Sequence, residues 1–453
     1  MSAFVGISTQ RGVGGVRYLD HFLSLAILMV TIPLLFLPKV NLIALGSQET
    51  AGIRIDDIIL LAVSLIIVWA RFAYRRQPFP EEKWFFSLVV LSFFSFAINY
   101  LFSVLGMLHA SANILYCCRL IEYFSFFYIG IIAAPYLTLH RLLSVFLFFN
   151  ALVMVLQWLG IIGEFSVEGY HAYSTTRLSG IASFPSEMGC LITMVFGYLV
   201  FTDAPSSPYL RLLPRALALF FRKTAIYWFF FFCALLVIKT GARIAIAALV
   251  AVMAVRVRQE FRSRDRFSVI CAFLFSMIGC LVVAITIVNV DGLVERSKEL
   301  LSMRNLDLIT TVWERISLDY DPNGRESVAF SGNQDMSWWI RIHKWVYSLK
   351  MYLLHPFTYL QGVGPGFGLA AVDGGYIRIL TEYGLIGSLL FFRFFSCLWR
   401  RSRSLRWMLI PLLINMVFFD AYLAYKPMSL LFIATGMVLY DQRALSEAGK
   451  EVL

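Results

Sequence analysis

The stretch ILYCCRLIEYFSFFYIGIIAAPYLTLHRLLSVFLFFNALVMVLQWLGII, residues 114–162, decides the fold. It holds two apolar runs, 114–135 and 140–162, joined by the short segment 136–139. A helix needs about 20 apolar residues to cross a bilayer, and each run supplies that length. Working outward, further runs of this kind cover 19–38, 56–72, 84–105, 179–202, 225–239, 241–256, 267–289, 376–392, 407–423 and 427–441, which predicts twelve spans. The pair within 225–256 is divided only by Thr240 and Gly241. Inside the opening stretch, Arg119 and Glu122 stand at i and i+3 and read as a structural pair on one helix face. The expected fold is an all-α polytopic membrane protein.

Composition agrees. Of 453 residues 59% are hydrophobic and 15% charged, with a mean hydropathy of +0.75. A soluble protein keeps roughly a quarter of its residues charged. The 41 Phe and 21 Tyr suit lipid-facing and interfacial surfaces. The first run follows Arg11 and Arg17 and is long enough to stay as a span rather than a cleaved signal. The seven cysteines lie in or beside apolar runs and read as small buried residues, not as a disulfide framework or a metal site.

The net charge of +11 sits in short basic clusters between the runs, so it speaks for membrane orientation rather than nucleic acid. With a cytoplasmic N-terminus, the inside stretches include RFAYRRQPFPEEK (71–83), RLLPRALALFFRK (211–223), VRVRQEFRSRDR (255–266) and FRFFSCLWRRSRSLR (392–406). The outside segments 39–55, 106–113 and 163–178 carry only Lys39, Arg54 and Arg177. Twelve spans with both ends in the cytoplasm satisfy the positive-inside rule. The expected organisation is residues 1–289 for spans one to nine, 290–375 for a periplasmic loop domain with helical segments, and 376–453 for spans ten to twelve and a cytoplasmic tail.

That long loop runs against the charge trend, with Arg296, Arg304, Arg315, Arg325 and Arg341. Basic residues there suit an anionic ligand; a long loop that translocates regardless of charge explains them equally well. WVYSLKMYLLHP has helical spacing and stops at Pro356. Gly362, Gly364, Gly366 and Gly368 then alternate around Pro365, a turn whose backbone could approach a ligand. Asp373 follows at the start of the next span, placed either as a helix N-cap or as a general base at the outer mouth. Arg177 and Arg243 stand at the outer ends of spans six and eight. A boundary Arg is a functional candidate, and its planar fork matches phosphate oxygens; snorkelling is the plainer account. His343, His355, Glu187 and Tyr376 are secondary candidates, and His171 a weaker one. DYDPNG (319–324) reads as a turn, since Phe330 occupies the place of the bidentate Glu of a calcium loop.

The sequence Arg341-x3-Trp345, His355-Pro356, Gly362-Val363-Gly364-Pro365-Gly366 and YIRILTEYGLIG (376–387) resembles the C-terminal signature of the O-antigen ligase and polymerase superfamily. TGARIAIAALV (240–250) resembles its Thr-Gly-Ser-Arg segment, with Ala242 in place of Ser, and TRLSGIASFPSEMG (176–189) resembles its Arg-x-x-Gly segment. The matches run in family order from about residue 170 to 390. The ligases usually place a His-Asn eleven residues before the Gly of GLIG; here that slot, counted back from Gly384, holds Asp373. The peptidoglycan polymerases of the shape, elongation, division and sporulation family also carry an Asp at the comparable place. The resemblance therefore implies an O-antigen polymerase of the Wzy type, a GT-C-like glycosyltransferase in the bacterial inner membrane with its active site facing the periplasm. Donor and acceptor would be undecaprenyl pyrophosphate-linked oligosaccharides, and a chain-length regulator protein is a further partner of such enzymes. Asp373 would be the catalytic base, and Arg177, Arg243 and Arg341 would hold the pyrophosphate, with inversion at the anomeric carbon and no metal or cofactor. The alternatives are an O-antigen ligase acting on lipid A-core and, in another class, a lipid-linked sugar transporter.

Overall fold

The computed structural model describes residues 14–38, 41–44, 52–74, 79–101, 110–166, 169–171, 177–202, 215–262, 270, 273, 277, 304–317, 336–367 and 372–451. Within them the chain is mostly helical. The helices are α1 (Gly14–Leu34), α2 (Ile55–Tyr74), α3 (Pro80–Leu101), α4 (Ala110–Ala133), α5 (Leu139–Trp158), α6 (Pro185–Phe201), α7 (Arg215–Thr240) and α8 (Arg243–Phe261). After them come α9 (Arg304–Arg315), α10 (Met336–Tyr352), α11 (Pro356–Gln361), α12 (Gly375–Arg401), α13 (Arg403–Asn415) and α14 (Tyr425–Glu451). Two antiparallel ribbons depart from an all-helical expectation: β1 (Asn41–Ala44) with β2 (Gly52–Arg54), and β3 (Glu164–Ser166) with β4 (Gly169–His171). Both fall in segments expected outside the spans.

Among the described residues, three helical stretches are long and apolar enough to cross a membrane: Ile114–Ala133, Leu139–Trp158 and Gly375–Arg401. Shorter apolar stretches accompany them: His21–Leu34 within α1, Thr224–Thr240 within α7, and the whole of α6, Pro185–Phe201. A helix of 17 residues is about 25 Å long, short of a hydrocarbon core of about 30 Å. The outer surface is apolar too, with Phe22, Met29, Val90, Phe148, Leu389 and Phe392 exposed. Apolar side chains both inside and outside are what a lipid-facing bundle presents.

Several boundaries differ from the sequence reading. The run 225–256 does split at Thr240–Gly241, but α7 begins at Arg215, inside the stretch expected as a basic loop. Likewise α12 runs through Arg401, so Ser402 alone separates it from α13. Arg and Lys are good helix formers, and their stems cover apolar surface, so basic sequence does not end a helix. The run 407–423 is helical only to Asn415; then come a turn and a short 3-10 segment, Ala421–Leu423. Most of the run 267–289 lies outside the described residues, as does DYDPNG.

Segments from both ends of the chain build one core, from Ile27 to Leu439. α14 lies along α4, α12 against α3, and α13 against α6 and α8. Glycine sets the closeness of the first pair. A Cβ at Gly436 would lie 2.0 Å from the Phe127 carbonyl oxygen, and one at Gly130 would lie 2.3 Å from that of Ile433. Small residues let two backbones approach where burial of apolar surface alone gives little reason to associate. Phe124 then stacks on Phe85 at 4.4 Å and on Phe127 at 5.2 Å. A second, smaller core joins α9, α10 and the glycine-rich turn through Val312, Ile316, Ile342, Val346, Val363 and Phe367. The segment between α8 and α12 thus carries its own packed helices, and α10 and α11 rest on α12.

Candidate functional site

The site starts at the α7–α8 turn. Gly241 takes φ +64°, and a Cβ there would meet the Arg177 side chain at 2.9 Å. Glycine is therefore required twice over, by backbone conformation and by space. The Ala242 amide donates to Thr240 Oγ1 at 3.2 Å, and α8 begins at Arg243. Arg177 docks on the same turn: its Nε donates to the Thr240 carbonyl at 3.0 Å and its Nη2 to that of Gly241 at 3.4 Å. The Leu178 amide donates to the Lys239 carbonyl at 2.9 Å. Two motifs far apart in sequence thus become one structure.

Arg341 arrives from α10. Partial burial, then the like charges of Arg341 and Arg243, pull the Arg177 guanidinium below its usual range, while Asp373 and Glu164 oppose them. Arg177 stays charged, because a guanidinium does not lose its proton in proteins. Arg341 Nε lies 3.7 Å from Asp373 Oδ2, beyond hydrogen-bond length. That Nε has no hydrogen-bond partner among the described residues. One helical turn on from Arg341, Lys344 is held below the usual lysine range by burial, with Asp373 and Asp420 pulling the other way. Trp345, on the same helix, stacks on Phe418 at 5.9 Å and lines the Gly374 side of the cluster.

Asp373 is not the N-cap that one sequence reading allowed. Gly374 holds the cap position, without a side-chain hydrogen bond. Asp373 precedes it in the left-handed region at φ 55°, the one non-glycine residue with positive φ among those described. Asp tolerates that region better than most residues, and strain of this kind gathers at functional sites. Its side chain keeps 34% exposure. Burial and then the charge of Asp420 push its carboxyl above the usual carboxylate range, against Arg341, Lys344 and Arg378.

Three acids meet here, and they differ in what their oxygens already hold. Glu382 accepts from Arg378 Nε at 2.8 Å, the Gly366 amide at 2.9 Å and the Tyr422 hydroxyl at 2.6 Å. Asp420 accepts from the Val372 amide at 2.8 Å, the Gly374 amide at 3.0 Å and Arg378 Nη1 at 2.8 Å. Among the described residues, no hydrogen bond engages the Asp373 carboxylate. Only Asp373 combines partial exposure, a nearby guanidinium and free acceptor oxygens.

The glycine-rich turn packs closely on α12. α12 breaks at Gly384, with φ 64° and ψ −166°. The Thr381 and Glu382 carbonyls beside the break accept from the Val363 and Gly364 amides at 2.8 and 3.0 Å. A Cβ at Gly362 would lie 2.3 Å from the Glu382 backbone. At Gly362 the turn approaches helix backbone, and at Gly366 it approaches the Tyr116 ring.

The secondary candidates lie in other bonds. His343 shares a 2.9 Å hydrogen bond between Nδ1 and the Trp339 carbonyl, so that nitrogen donates. Burial holds its pKa below the usual value. His355 caps α11, accepting from the Phe357 amide. Glu187 is buried and accepts from the Ser183 amide at 3.1 Å and the Lys426 amide at 3.3 Å. The Tyr376 hydroxyl donates to the Leu413 carbonyl at 2.7 Å. His171 ends β4, opposite Glu164. Arg119 does not simply close on Glu122: its guanidinium lies 4.4 Å over the Tyr116 ring, while Glu122 gathers with Asp56 and Asp57, their ligating atoms within 4.8 Å of one another. That spacing could hold a cation, although Arg54 and Arg119 stand within electrostatic reach of the same acids.

Sequence reading passed over Lys344, Arg378, Glu382, Asp420 and Tyr422. Two signals were present: Lys344 is three residues past Arg341, on one helix face, and Arg378, Glu382 and Asp420 are charges inside apolar runs. No family model matches the chain, and no curated protein matches it.

Proposed function

We propose that the chain is a polytopic glycosyltransferase of the bacterial inner membrane that polymerises lipid-linked sugar repeat units, an O-antigen polymerase of the Wzy type. One observation carries this reading: Arg177 lies within electrostatic reach of Arg243, Arg341 and Asp373, three groups from separate elements, and Asp373 pairs with Arg341 at 3.7 Å while accepting no hydrogen bond among the described residues. The twelve-span arrangement, with residues 290–375 outside, supplies the setting in which a donor on undecaprenyl pyrophosphate meets that cluster.

In this reading the acceptor repeat unit presents a sugar hydroxyl to Asp373. Asp373 takes its proton as the oxygen attacks the anomeric carbon of the donor chain. The bond from that carbon to the pyrophosphate oxygen breaks, and the arginines take up the developing negative charge. Their forks suit phosphate oxygens, and the positive end of α8 at Arg243 adds to the attraction. Attack opposite the leaving group inverts the anomeric centre. Arg341 keeps Asp373 close without hydrogen-bonding it, which leaves the carboxylate able to accept a proton.

Complementation tests the reading. The gene should restore the lipopolysaccharide ladder in a polymerase-null strain, which alone shows a single repeat on core. Restoration of a ligase-null strain instead would move the activity to transfer onto lipid A-core. Restoration of neither, at confirmed expression and with a matched repeat unit, would sink both. A reporter fused at Gly332 should read as periplasmic; cytoplasmic exposure would remove the donor from reach of the site.

A further inference from the structure

We propose that Asp420 is the positioning residue for Asp373, gripping the turn on both sides of it and fixing where its carboxylate points. This rests on the polymerase reading for its catalytic meaning, though not for its geometry. The connection between α13 and α14 brings Asp420 under the 372–374 turn. Its two oxygens accept the amides flanking Asp373, Val372 at 2.8 Å and Gly374 at 3.0 Å. A third bond anchors Asp420 itself: Arg378 Nη1 donates to Oδ2 at 2.8 Å, while Arg378 Nε is fixed by Glu382. Arg378 and Asp420 are nearly inaccessible, at 4% and 6% exposure. The Gly375 amide continues the hold by donating to the Met416 carbonyl at 2.8 Å.

The arrangement explains the backbone of Asp373. A non-glycine residue in the left-handed region persists only where its surroundings over-determine it. Here the amides before and after it end on one carboxylate, so the residue between them has little freedom. Turned this way, its side chain leaves Asp420 and faces Arg341. Asp420 also sets charge. The groups within reach of Asp373 are Arg341 and Lys344 from α10, Arg378 from α12, Asp420 from the α13–α14 connection, and Arg177 from the segment before α6. Among these described groups Asp420 is the acid, and it raises the proton affinity of Asp373.

The test uses the full chain in detergent and in cells, with Asp420→Asn and Asp420→Ser. Both variants remove the charge and at least one amide bond. In cells the rate of chain growth should fall about 10- to 100-fold, the scale of a small misplacement of a reacting group. A loss of folding would lower it too, so a second readout is needed. The Asp373 carboxyl can be titrated by infrared difference spectroscopy, its band identified by its absence in Asp373→Asn. Removing a negative neighbour should move the midpoint down in Asp420→Asn; an unchanged midpoint in a folded variant overturns the proposal. A merely structural residue has no reason to shift it. If neither variant folds, amide exchange on the unaltered chain decides: the Val372 and Gly374 amides should be strongly protected, and exchange at free-chain rates overturns the grip. Titration and exchange need no substrate. Failed complementation by the unaltered chain would sink the polymerase reading alone, leaving these two results as they are.

Discussion

The α4–α14 seam and the polar network beneath Asp373 are both buried, yet they are held by opposite means. Along the seam, Gly130 and Gly436 let two helices approach until backbone meets backbone, and aromatic rings fill the flanks. At the mouth, Arg378, Glu382, Asp420 and Tyr422 form a closed polar network under a half-exposed rim of Asp373 and three arginines. The seam is specified by space and the mouth by saturation of donors and acceptors. A buried ion network is a weak source of stability and a better source of geometry. The seam should therefore govern whether the chain folds, and the mouth what it does.

The largest expected effect is at the seam. Gly436→Val places carbon against the Phe127 carbonyl, since a Cβ there would lie 2.0 Å from its oxygen. Backbone cannot move aside as a side-chain end does, so the variant should yield almost no folded protein in detergent extracts. Normal recovery and elution of Gly436→Val would show that the seam yields more easily than its spacing implies.

Next is Asp373→Asn. Asn tolerates the left-handed region as Asp does, so the fold should survive. What is lost is proton acceptance, worth about 100- to 10,000-fold in rate. Near-normal chain growth would refute the base assignment. pH dependence sharpens the same point. Asp373 must be ionised to act, and burial with Asp420 raises its pKa. As pH falls its proton is thus taken up before ordinary carboxylates titrate, and the acid limb of activity should lie above the range of an ordinary aspartate. A limb within or below the ordinary aspartate range would contradict the environment described.

Smaller effects are expected at the rim. Arg243→Lys and Arg341→Lys keep the charge but not the planar fork. Losing a charge-assisted bond should cost about 10- to 100-fold in chain growth. Full ladders at matched protein levels would show that the forks do not grip the leaving group. The smallest effect belongs to His355→Ala. It removes a cap from the short helix α11 and should cost no more than about 1 kcal/mol, with chain growth unchanged; a lost ladder would give His355 a role its exposed position does not suggest.

How far the sequence could be read differed between these regions. Arg177 and Arg243 stood out because charge at the end of an apolar run is costly and calls for a reason, and Arg341 and Asp373 because of their places in the motif that closes the long loop. Arg378, Glu382 and Asp420 obey the same rule but sit among residues whose apolar pattern hid them. The alternating glycines from Gly362 announced freedom of backbone, not which surface would come close, and the surface was α12 at Gly384. The basic stretches near Arg215 and Arg401 suggested loops because they were weighed for orientation, whereas helix propensity carries helices straight through them.

By itself, the sequence determined the apolar runs, their helical character and the places where charge interrupts them, since those follow from local composition and period. Tertiary structure alone decided that Arg177 rests on the Thr240–Gly241 turn, that Arg341 faces Asp373, and that Asp420 grips the backbone around it. Whether a carboxylate is free or saturated depends on amides and guanidiniums supplied from elsewhere in the chain. Asp373, Glu382 and Asp420 are alike in chemistry along the sequence; packing gave two of them full sets of donors and left the third facing Arg341 with oxygens to spare.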